Sequence, residues 1–147
     1  MAKVYAVIDT NVIVSALLSR HSDAATVRVL ESISKVEICP LYNQEIIDEY
    51  RDVLSRPKFC FPQDLVNLII NRIVKIGKDS TRIHSDETFP DSKDVVFYEV
   101  ALSKEDAYLV TGNKKHFPTN PIVVTPAEML DILQRESRHG KGSSIRV

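Results

Sequence analysis

The sequence predicts a single α/β domain, built as a three-layer α/β/α sandwich around a five-stranded, mostly parallel sheet. A chain of 147 residues is long enough for one compact domain and short for two. Short apolar runs of the kind that parallel sheets bury alternate with segments of helical periodicity. No run approaches the roughly 18 apolar residues of a membrane span, so we expect no membrane partner.

Short apolar runs predict the strands. The first run ends abruptly at Asp9, and the second is followed by Pro40. The third run is weaker than the others because polar residues interrupt it. The predicted strands cover 4–8, 36–39, 81–84, 108–111 and 122–124.

Helical periodicity and capping signals predict the helices. Ser22 is a candidate N-cap, and Pro62 is acceptable in a first helical turn. Thr125 and Glu128 form a capping box at the start of the last helix. The segment 94–103 is apolar almost all round, which indicates a buried helix. The predicted helices cover 11–18, 22–33, 43–55, 62–76, 94–103 and 128–135.

Charge is distributed unevenly between the predicted domain, residues 1–135, and the residues after it. The 19 Lys and Arg residues nearly balance the 20 Asp and Glu residues, which argues against a general nucleic-acid coat protein. Basic residues nevertheless dominate the C-terminal end, so the rest of the chain is acidic. We expect residues 136–147 to form a flexible basic tail.

Cysteine content and the first residues indicate a cytoplasmic protein. Cys39 and Cys60 are too few for a disulfide scaffold or a cysteine-based zinc site. The chain enters a strand-like segment directly, without the pattern of a signal peptide.

Three acidic side chains from separate segments are candidates for chemistry. Asp9 ends the first strand, at the edge of a parallel sheet where ligands bind, although it could also serve only as a helix cap. Glu49 borders the apolar face of its helix, a position that equally suits an ion-paired surface side chain. Asp94 opens the buried helix, where an acid could simply pair with Asp91 in a cap or offset the helix dipole.

If these carboxylates converge, their mutual repulsion requires a cation. Hard oxygen ligands suit Mg²⁺ or Mn²⁺. The residues alone therefore predict a divalent-metal site formed by Asp9, Glu49 and Asp94.

Four motifs, in this order, resemble the PIN-domain family. They are the segments 9–17, 49–59, 91–94 and 109–117, and the resemblance extends over residues 3–133. Within the family, the chain is similar to the group related to VapC-type toxins of toxin–antitoxin systems. The resemblance implies a metal-dependent ribonuclease with a five-stranded parallel sheet between helices.

The resemblance also implies which residues carry the reaction. Asp9, Glu49 and Asp94 match three of the family's four acids, and Asn113 matches the fourth. Asparagine keeps an oxygen that can coordinate a metal or orient water, but it lacks the charge. The three remaining acids imply one Mg²⁺ or Mn²⁺ ion, which would lower the pKa of a water molecule and stabilise charge on the phosphate. The departure at Asn113 leaves a second ion open.

Other residues of the motifs are expected to support this site. The side chains expected to hold the carboxylates or a water in place are Thr10, Asn11 and Thr111. The side chains expected at the rim, in contact with RNA phosphates, are Lys114, Lys115 and His116.

The resulting prediction is an endoribonuclease that acts on RNA as the toxin of a toxin–antitoxin pair. The resemblance also suggests a homodimer and a cognate antitoxin with a basic side chain for the acidic site. One alternative is a PIN-like module with weakened catalysis that binds RNA or a protein. Another is a phosphatase-like hydrolase with Asp9 as nucleophile, although such enzymes commonly want a second aspartate where this chain has Asn11.

Overall fold

A parallel sheet lies at the centre of the fold. The computed structural model describes the backbone of residues 3–146 and the side chains of residues 3–137. Within this part, the strands are β1 (Val4–Ile8), β2 (Ile38–Tyr42), β3 (Lys78–Asp79), β4 (Tyr108–Val110) and β5 (Val123–Val124). They pair in parallel in the order β3-β2-β1-β4-β5, which leaves β1 in the middle. The predicted five-stranded parallel sheet is confirmed.

Helices follow the strands along the chain and cover the sheet. In the described residues they are α1 (Thr10–Leu18), α2 (Ala25–Ser34), α3 (Gln44–Leu54), α4 (Gln63–Ile76), α5 (Val95–Ala101) and α6 (Pro126–Arg146). α5 packs against β1, β2 and β4, while α2 and α4 both contact β2. This arrangement agrees with the predicted three-layer α/β/α class. No helix in this part of the chain combines the length and the apolar character needed to cross a membrane.

The core lies where the sheet meets the helices. Every residue of α5 after Val95 is buried, including Glu99, as the all-round apolar pattern predicts. Ala6, Val7 and Ile8 of β1 are completely buried, which agrees with a strand in the middle of a covered sheet.

β2 begins two residues later than predicted and contains Pro40. Pro40 pairs with Ala6 of β1. Pairing between β2 and β3 begins only at Leu41, so the missing N–H of Pro40 removes no hydrogen bond to β3. The prediction that the proline ends the strand was wrong because a proline is tolerated where the neighbouring strand has not yet begun.

The third strand was predicted at 81–84 and is instead the two-residue β3, directly after Gly77. A Cβ atom on Gly77 would lie only 2.2 Å from Pro40 O and 2.6 Å from Ile73 O. Glycine therefore lets the chain leave α4 in close contact with β2, and the strand starts at once.

Contacts with α5 explain why residues 81–84 are not a strand. The Ile83 N–H donates to Glu99 O at 3.0 Å. The Arg82 guanidinium lies 2.7 Å from the Glu99 carboxylate. These residues are thus tied to a helix rather than to the edge of the sheet.

The bounds of α2 and α6 also differ from the prediction. α2 begins at Ala25 and lacks a side-chain cap, so Ser22 is not its N-cap. The predicted capping box of α6 is confirmed, since Glu128 N donates to Thr125 Oγ1 at 3.1 Å and Thr125 N donates to Glu128 Oε1 at 2.8 Å.

The backbone of α6 continues to Arg146, past the predicted end at Arg135. The sequence after Arg135 contains no proline to stop a helix. Most of the predicted basic tail, 136–147, lies outside the residues whose side chains are described, so its flexibility stays a prediction.

Candidate active site

β1 and β4 end side by side, and the candidate site begins there. The Asp9 N–H donates to Val110 O at 2.9 Å, which ties the residue after β1 to the end of β4. Thr111 follows β4 directly and is completely buried. Both side chains therefore lie beyond the carboxyl ends of neighbouring parallel strands, where ligands bind in α/β sheets.

The Asp9 carboxylate is buried and is held by a hydroxyl group. Only 6% of Asp9 is exposed, and its Oδ2 accepts a hydrogen bond from the Thr111 hydroxyl at 2.8 Å. The side chain makes no capping hydrogen bond to α1, so the cap role that the sequence left open is not observed. Burial raises the pKa of Asp9, the Thr111 hydrogen bond opposes this, and the Glu49 charge adds to the increase.

α3 positions Glu49 at the edge of the same site. The next residue, Tyr50, is completely buried and donates a hydrogen bond from its hydroxyl to Ile8 O, at the end of β1. Glu49 is half-buried, whereas the other acids of α3 are exposed. The Glu49 charge contributes to raising the pKa of both Asp9 and Asp94. This partial burial agrees with the predicted place of Glu49 at the border of the apolar face of its helix.

Asp94 faces the site rather than solvent. Its side chain is 16% exposed and makes no capping hydrogen bond to α5. Asp91 caps the short turn before α5, accepting from Lys93 N at 2.9 Å, so the cap and the candidate ligand are different acids. Burial, followed by the charges of Asp9 and Asp91, raises the pKa of Asp94 to about 6.

Thr10 and Asn11 have different surroundings. The Thr10 hydroxyl is buried and has no hydrogen-bond partner among the described residues. Asn11 Oδ1 accepts from Gly112 N at 3.1 Å and so links the start of α1 to the loop after β4. Asn11 therefore holds that loop in place.

Asn113 contacts His116 rather than an acid. Its side-chain Nδ2 lies 3.0 Å from His116 Nε2, and its backbone N–H donates to Thr111 Oγ1 at 3.0 Å. His116 Nδ1 in turn lies 3.5 Å from Asp94 Oδ2. The imidazole expected at the RNA-facing rim thus lies beside Asp94.

The two lysines between Asn113 and His116 have different surroundings. Lys114 Nζ forms an ion pair with Glu128 at 2.9 Å, the acid of the α6 capping box. Lys115 is exposed and forms no ion pair with a described side chain. Of the two, Lys115 is the cation available to a ligand.

The carboxylate and hydroxyl oxygens at this site are of the ligand type that a hard divalent cation prefers. Asp94 Oδ2 and Thr10 Oγ1 are buried without hydrogen-bond partners in the described residues, and such atoms are costly unless a ligand or water satisfies them. As they stand, no three His, Cys, Asp or Glu side chains of residues 3–137 are grouped closely enough to hold a metal ion. Binding by all three predicted acids therefore requires a side-chain movement, of the kind common at binding sites.

Sequence reasoning missed two contacts that shape this site. The first is the hydrogen bond of Tyr50, for which the available signal is the rule that a buried tyrosine hydroxyl usually needs a partner. No local pattern indicated that His116 turns toward Asp94, because the contact depends on how the loop after β4 approaches α5.

A separate cleft of about 740 Å³ lies between β5 and the start of α6. Its walls include Tyr108, Ile122, Glu128 and Asp131, and none of the predicted acids or support residues contributes to it. The acidic site is therefore distinct from this cleft.

Comparison with known proteins gives a single family. A family model described as PIN domain matches residues 5–115, which is more than half of the chain. The match includes Asp9, Glu49, Asp94 and Asn113, and it ends one residue before His116. No curated protein matches the chain.

Proposed function

The chain belongs to the PIN domain family, and from that premise we propose that it is a cytoplasmic endoribonuclease that hydrolyses RNA phosphodiester bonds with Mg²⁺ or Mn²⁺. PIN domains are typically nucleases, and those nucleases generally use divalent metal ions.

One observation carries the proposal: acids from three separate elements act on one another beyond the carboxyl ends of β1 and β4. The Asp9 charge contributes to raising the pKa of Asp94, and the Glu49 charge contributes to raising the pKa of both. Perturbed carboxyl groups that share a site of this kind are typical of catalytic centres.

Asp9, Glu49 and Asp94 are the residues that would hold the ion. A divalent cation bound there supplies positive charge to the phosphodiester oxygens and makes water a better nucleophile at neutral pH. Thr111 keeps the Asp9 carboxylate in one orientation through its hydrogen bond. Asn11 keeps the loop that carries Asn113 against α1.

Lys115 is the proposed contact for flanking RNA phosphates. It is exposed directly after the loop that approaches the acids. The sequence also assigned Lys114 and His116 to RNA. Lys114 instead forms an ion pair with Glu128, and His116 lies beside Asp94. Phosphate contacts of this kind position the substrate but do not read its sequence.

Cleavage of single-stranded RNA by the wild type and by Asp9→Asn, with and without Mn²⁺, tests the proposal. We expect Mn²⁺-dependent cleavage by the wild type and its loss in the variant. Asp64→Asn is the matched control, because Asp64 is an exposed acid in the first turn of α4 and should leave cleavage unchanged.

The same assay separates the alternatives. Equal cleavage by the wild type and Asp9→Asn, or none by a metal-replete wild type, contradicts the ribonuclease. RNA binding without cleavage would indicate the weakened binding module. Hydrolysis of simple phosphate esters without RNA cleavage would indicate the phosphatase-like enzyme.

We further propose that the ribonuclease is a toxin paired with an antitoxin. The acidic site would accept a basic side chain from such a partner, because the charges of Asp9 and Glu49 both disfavour the charged form of Asp94, which a cation would favour. Expression of the chain alone should arrest growth, and co-expression of a small protein from the adjacent reading frame should relieve the arrest. Continued growth would contradict the toxin role and leave the ribonuclease proposal in place.

The last part of the proposal concerns how many metal ions and how many subunits the protein contains. We propose one ion and a homodimer. Calorimetric titration with Mn²⁺ should give one site in the wild type, and light scattering should give twice the 16.6 kDa chain mass. Two Mn²⁺ sites, or a monomer at micromolar concentration, would contradict these points separately.

A further inference from the structure

A continuous set of polar contacts joins Asp94 to Asp9 through the loop after β4. From Asp94 it passes to His116 Nδ1 at 3.5 Å, and from His116 Nε2 to the Asn113 amide at 3.0 Å. The Asn113 backbone N–H donates to Thr111 Oγ1 at 3.0 Å, and Thr111 donates to Asp9 at 2.8 Å. Two of the acids are thus linked through three residues that are not acids.

The contact between Asn113 and His116 indicates where a neutral imidazole would carry its hydrogen. The Nδ2 group of an asparagine only donates, so His116 Nε2 accepts. A neutral imidazole that accepts at Nε2 carries its hydrogen on Nδ1. That hydrogen is on the nitrogen that lies 3.5 Å from Asp94 Oδ2.

Asp94 Oδ2 is the atom that lacks a hydrogen-bond partner although it is buried. An N–H group held toward it would restrict the orientation of the carboxylate. His116 is the group placed to do this, since Nδ1 is already within ion-pairing distance and needs only a small approach to form a hydrogen bond.

We propose that Asn113 and His116 form a positioning pair for Asp94: Asn113 selects the Nδ1–H form of His116, and His116 Nδ1–H orients the Asp94 carboxylate. This inference rests on the proposed function in that Asp94 is taken as a metal ligand. Asn113 then acts through His116 and is a positioning residue.

The proposal also explains why an acid at position 113 would not be equivalent. A carboxylate accepts but does not donate, so it would favour hydrogen on His116 Nε2. Nδ1 would then present a lone pair to Asp94 Oδ2, and the two acceptors would repel each other. The amide is therefore the side chain that matches this histidine.

Nitrogen NMR of the metal-free full chain, labelled in its histidine side chains, tests the first half of the proposal. Two-bond nitrogen–proton correlations, recorded over a series of pH values, distinguish the Nδ1–H form of the neutral ring from the Nε2–H form and from the charged ring. We expect Nδ1–H for His116 in the wild type, assigned by comparison with His116→Gln, and a shift toward Nε2–H in Asn113→Ala and Asn113→Asp. Asn67→Ala, on α4, is the control and should leave the His116 signals unchanged.

Mn²⁺ affinity, measured calorimetrically, tests the second half. We expect about a 10-fold weaker affinity in Asn113→Ala, the size typical for loss of a group that supports a ligand. Because both residues act through one contact, Asn113→Ala combined with His116→Gln should lose little more than either single variant. If Asn113 only supported the fold, Asn113→Ala would change neither the His116 tautomer nor the coupling between the two substitutions.

Several results would overturn the inference. They are an Nε2–H wild type, unchanged His116 signals in both Asn113 variants, an unchanged Mn²⁺ affinity, or fully additive losses in the double variant. Failure of the ribonuclease proposal looks different: the tautomer and Mn²⁺ results would be as expected, while RNA would remain uncleaved.

Discussion

Thr111 donates a hydrogen bond to Asp9 Oδ2 at 2.8 Å, although the two residues are 102 positions apart. The contact joins the ends of β1 and β4 and is completely buried on the Thr111 side. It also opposes the effect of burial on the pKa of Asp9. The orientation of the central acid thus depends on a strand from the other half of the chain.

Thr111→Val should damage the site while it preserves the packing volume. The variant removes the hydrogen bond to Asp9 and leaves the Asn113 N–H without its acceptor. We expect about 1 kcal/mol loss in the free energy of unfolding and about a 10-fold loss of RNA cleavage. Chemical denaturation and the cleavage assay measure the two effects. Full activity would contradict the role assigned to this bond.

Thr10→Val is the matched variant with the opposite expectation for stability. The Thr10 hydroxyl is buried without a partner, so its removal should raise the free energy of unfolding of the metal-free protein by about 1 kcal/mol. Mn²⁺ affinity should fall, because Thr10 directly follows Asp9 and a hydroxyl oxygen suits a hard cation. A less stable variant, or one that binds Mn²⁺ normally, would contradict this account.

Asp94→Asn should stabilise the metal-free protein. Burial and the charges of Asp9 and Asp91 raise the pKa of Asp94 to about 6, so the charged form is unfavourable in the folded state. Removing the charge should add about 2 kcal/mol to the free energy of unfolding near neutral pH. Thermal denaturation in chelator measures this, and Mn²⁺ should stabilise the wild type but not the variant.

Asp91→Ala serves as the control for Asp94→Asn. It removes a neighbouring exposed acid together with the cap that it provides to Lys93 N. We expect a loss of about 1 kcal/mol rather than a gain. If both variants were more stable, loss of any negative charge in this region would explain the gain, and the burial of Asp94 would not be its specific cause.

Lys115→Ala should weaken RNA binding, whereas Lys114→Ala should mainly affect stability. Lys115 is exposed, so its loss should reduce affinity several-fold and lower the slope of log affinity against log salt concentration by about 0.7. Lys114 pairs with Glu128 on the surface, and its loss should cost about 0.5 kcal/mol. Binding titrations at several salt concentrations separate the two lysines, and equal slopes would contradict the assignment.

Glu99 should stabilise the fold in a pH-dependent way. Burial by itself raises the pKa of Glu99, but the Ser85 N–H and the Arg82 guanidinium hold it below its ordinary value. Because this pKa is lower in the folded state, the stabilisation is present above the unfolded value of about 4.3. It is lost as the pH falls through the folded pKa.

Glu99→Gln should therefore cost about 2 kcal/mol near neutral pH and progressively less in acid. Glu45→Gln is the control, because Glu45 contacts the same Arg82 but its side chain is 58% exposed, and it should cost about 0.5 kcal/mol. Urea denaturation as a function of pH measures both variants. A cost for Glu99→Gln that does not change with pH would contradict the linkage.

Local patterns predicted most of the elements and the three acids. β1 and α5 are buried along all or nearly all of their length, and their apolar composition predicts this burial. The capping box of α6 is a signal within four consecutive residues, and it is formed as predicted. Asp9 was found because a polar residue directly after a buried strand lies at the edge of the sheet.

The errors fall where distant residues decide the outcome. β3 depends on the close approach of Gly77 to Pro40, a contact between two elements that are far apart in sequence. The predicted strand 81–84 instead binds α5 through Glu99. Neither contact leaves a periodic signal in the chain.

The sequence by itself determined the fold class, the family resemblance and the acids at the end of β1, on α3 and before α5, because each follows from the order of residues along one segment. The tertiary structure alone decided the strand order, the hydrogen bond from the Tyr50 hydroxyl to Ile8 O and the contact between His116 and Asp94. These contacts join segments whose separation in sequence says nothing about their distance in space, and packing of the sheet against the helices is what brings them together.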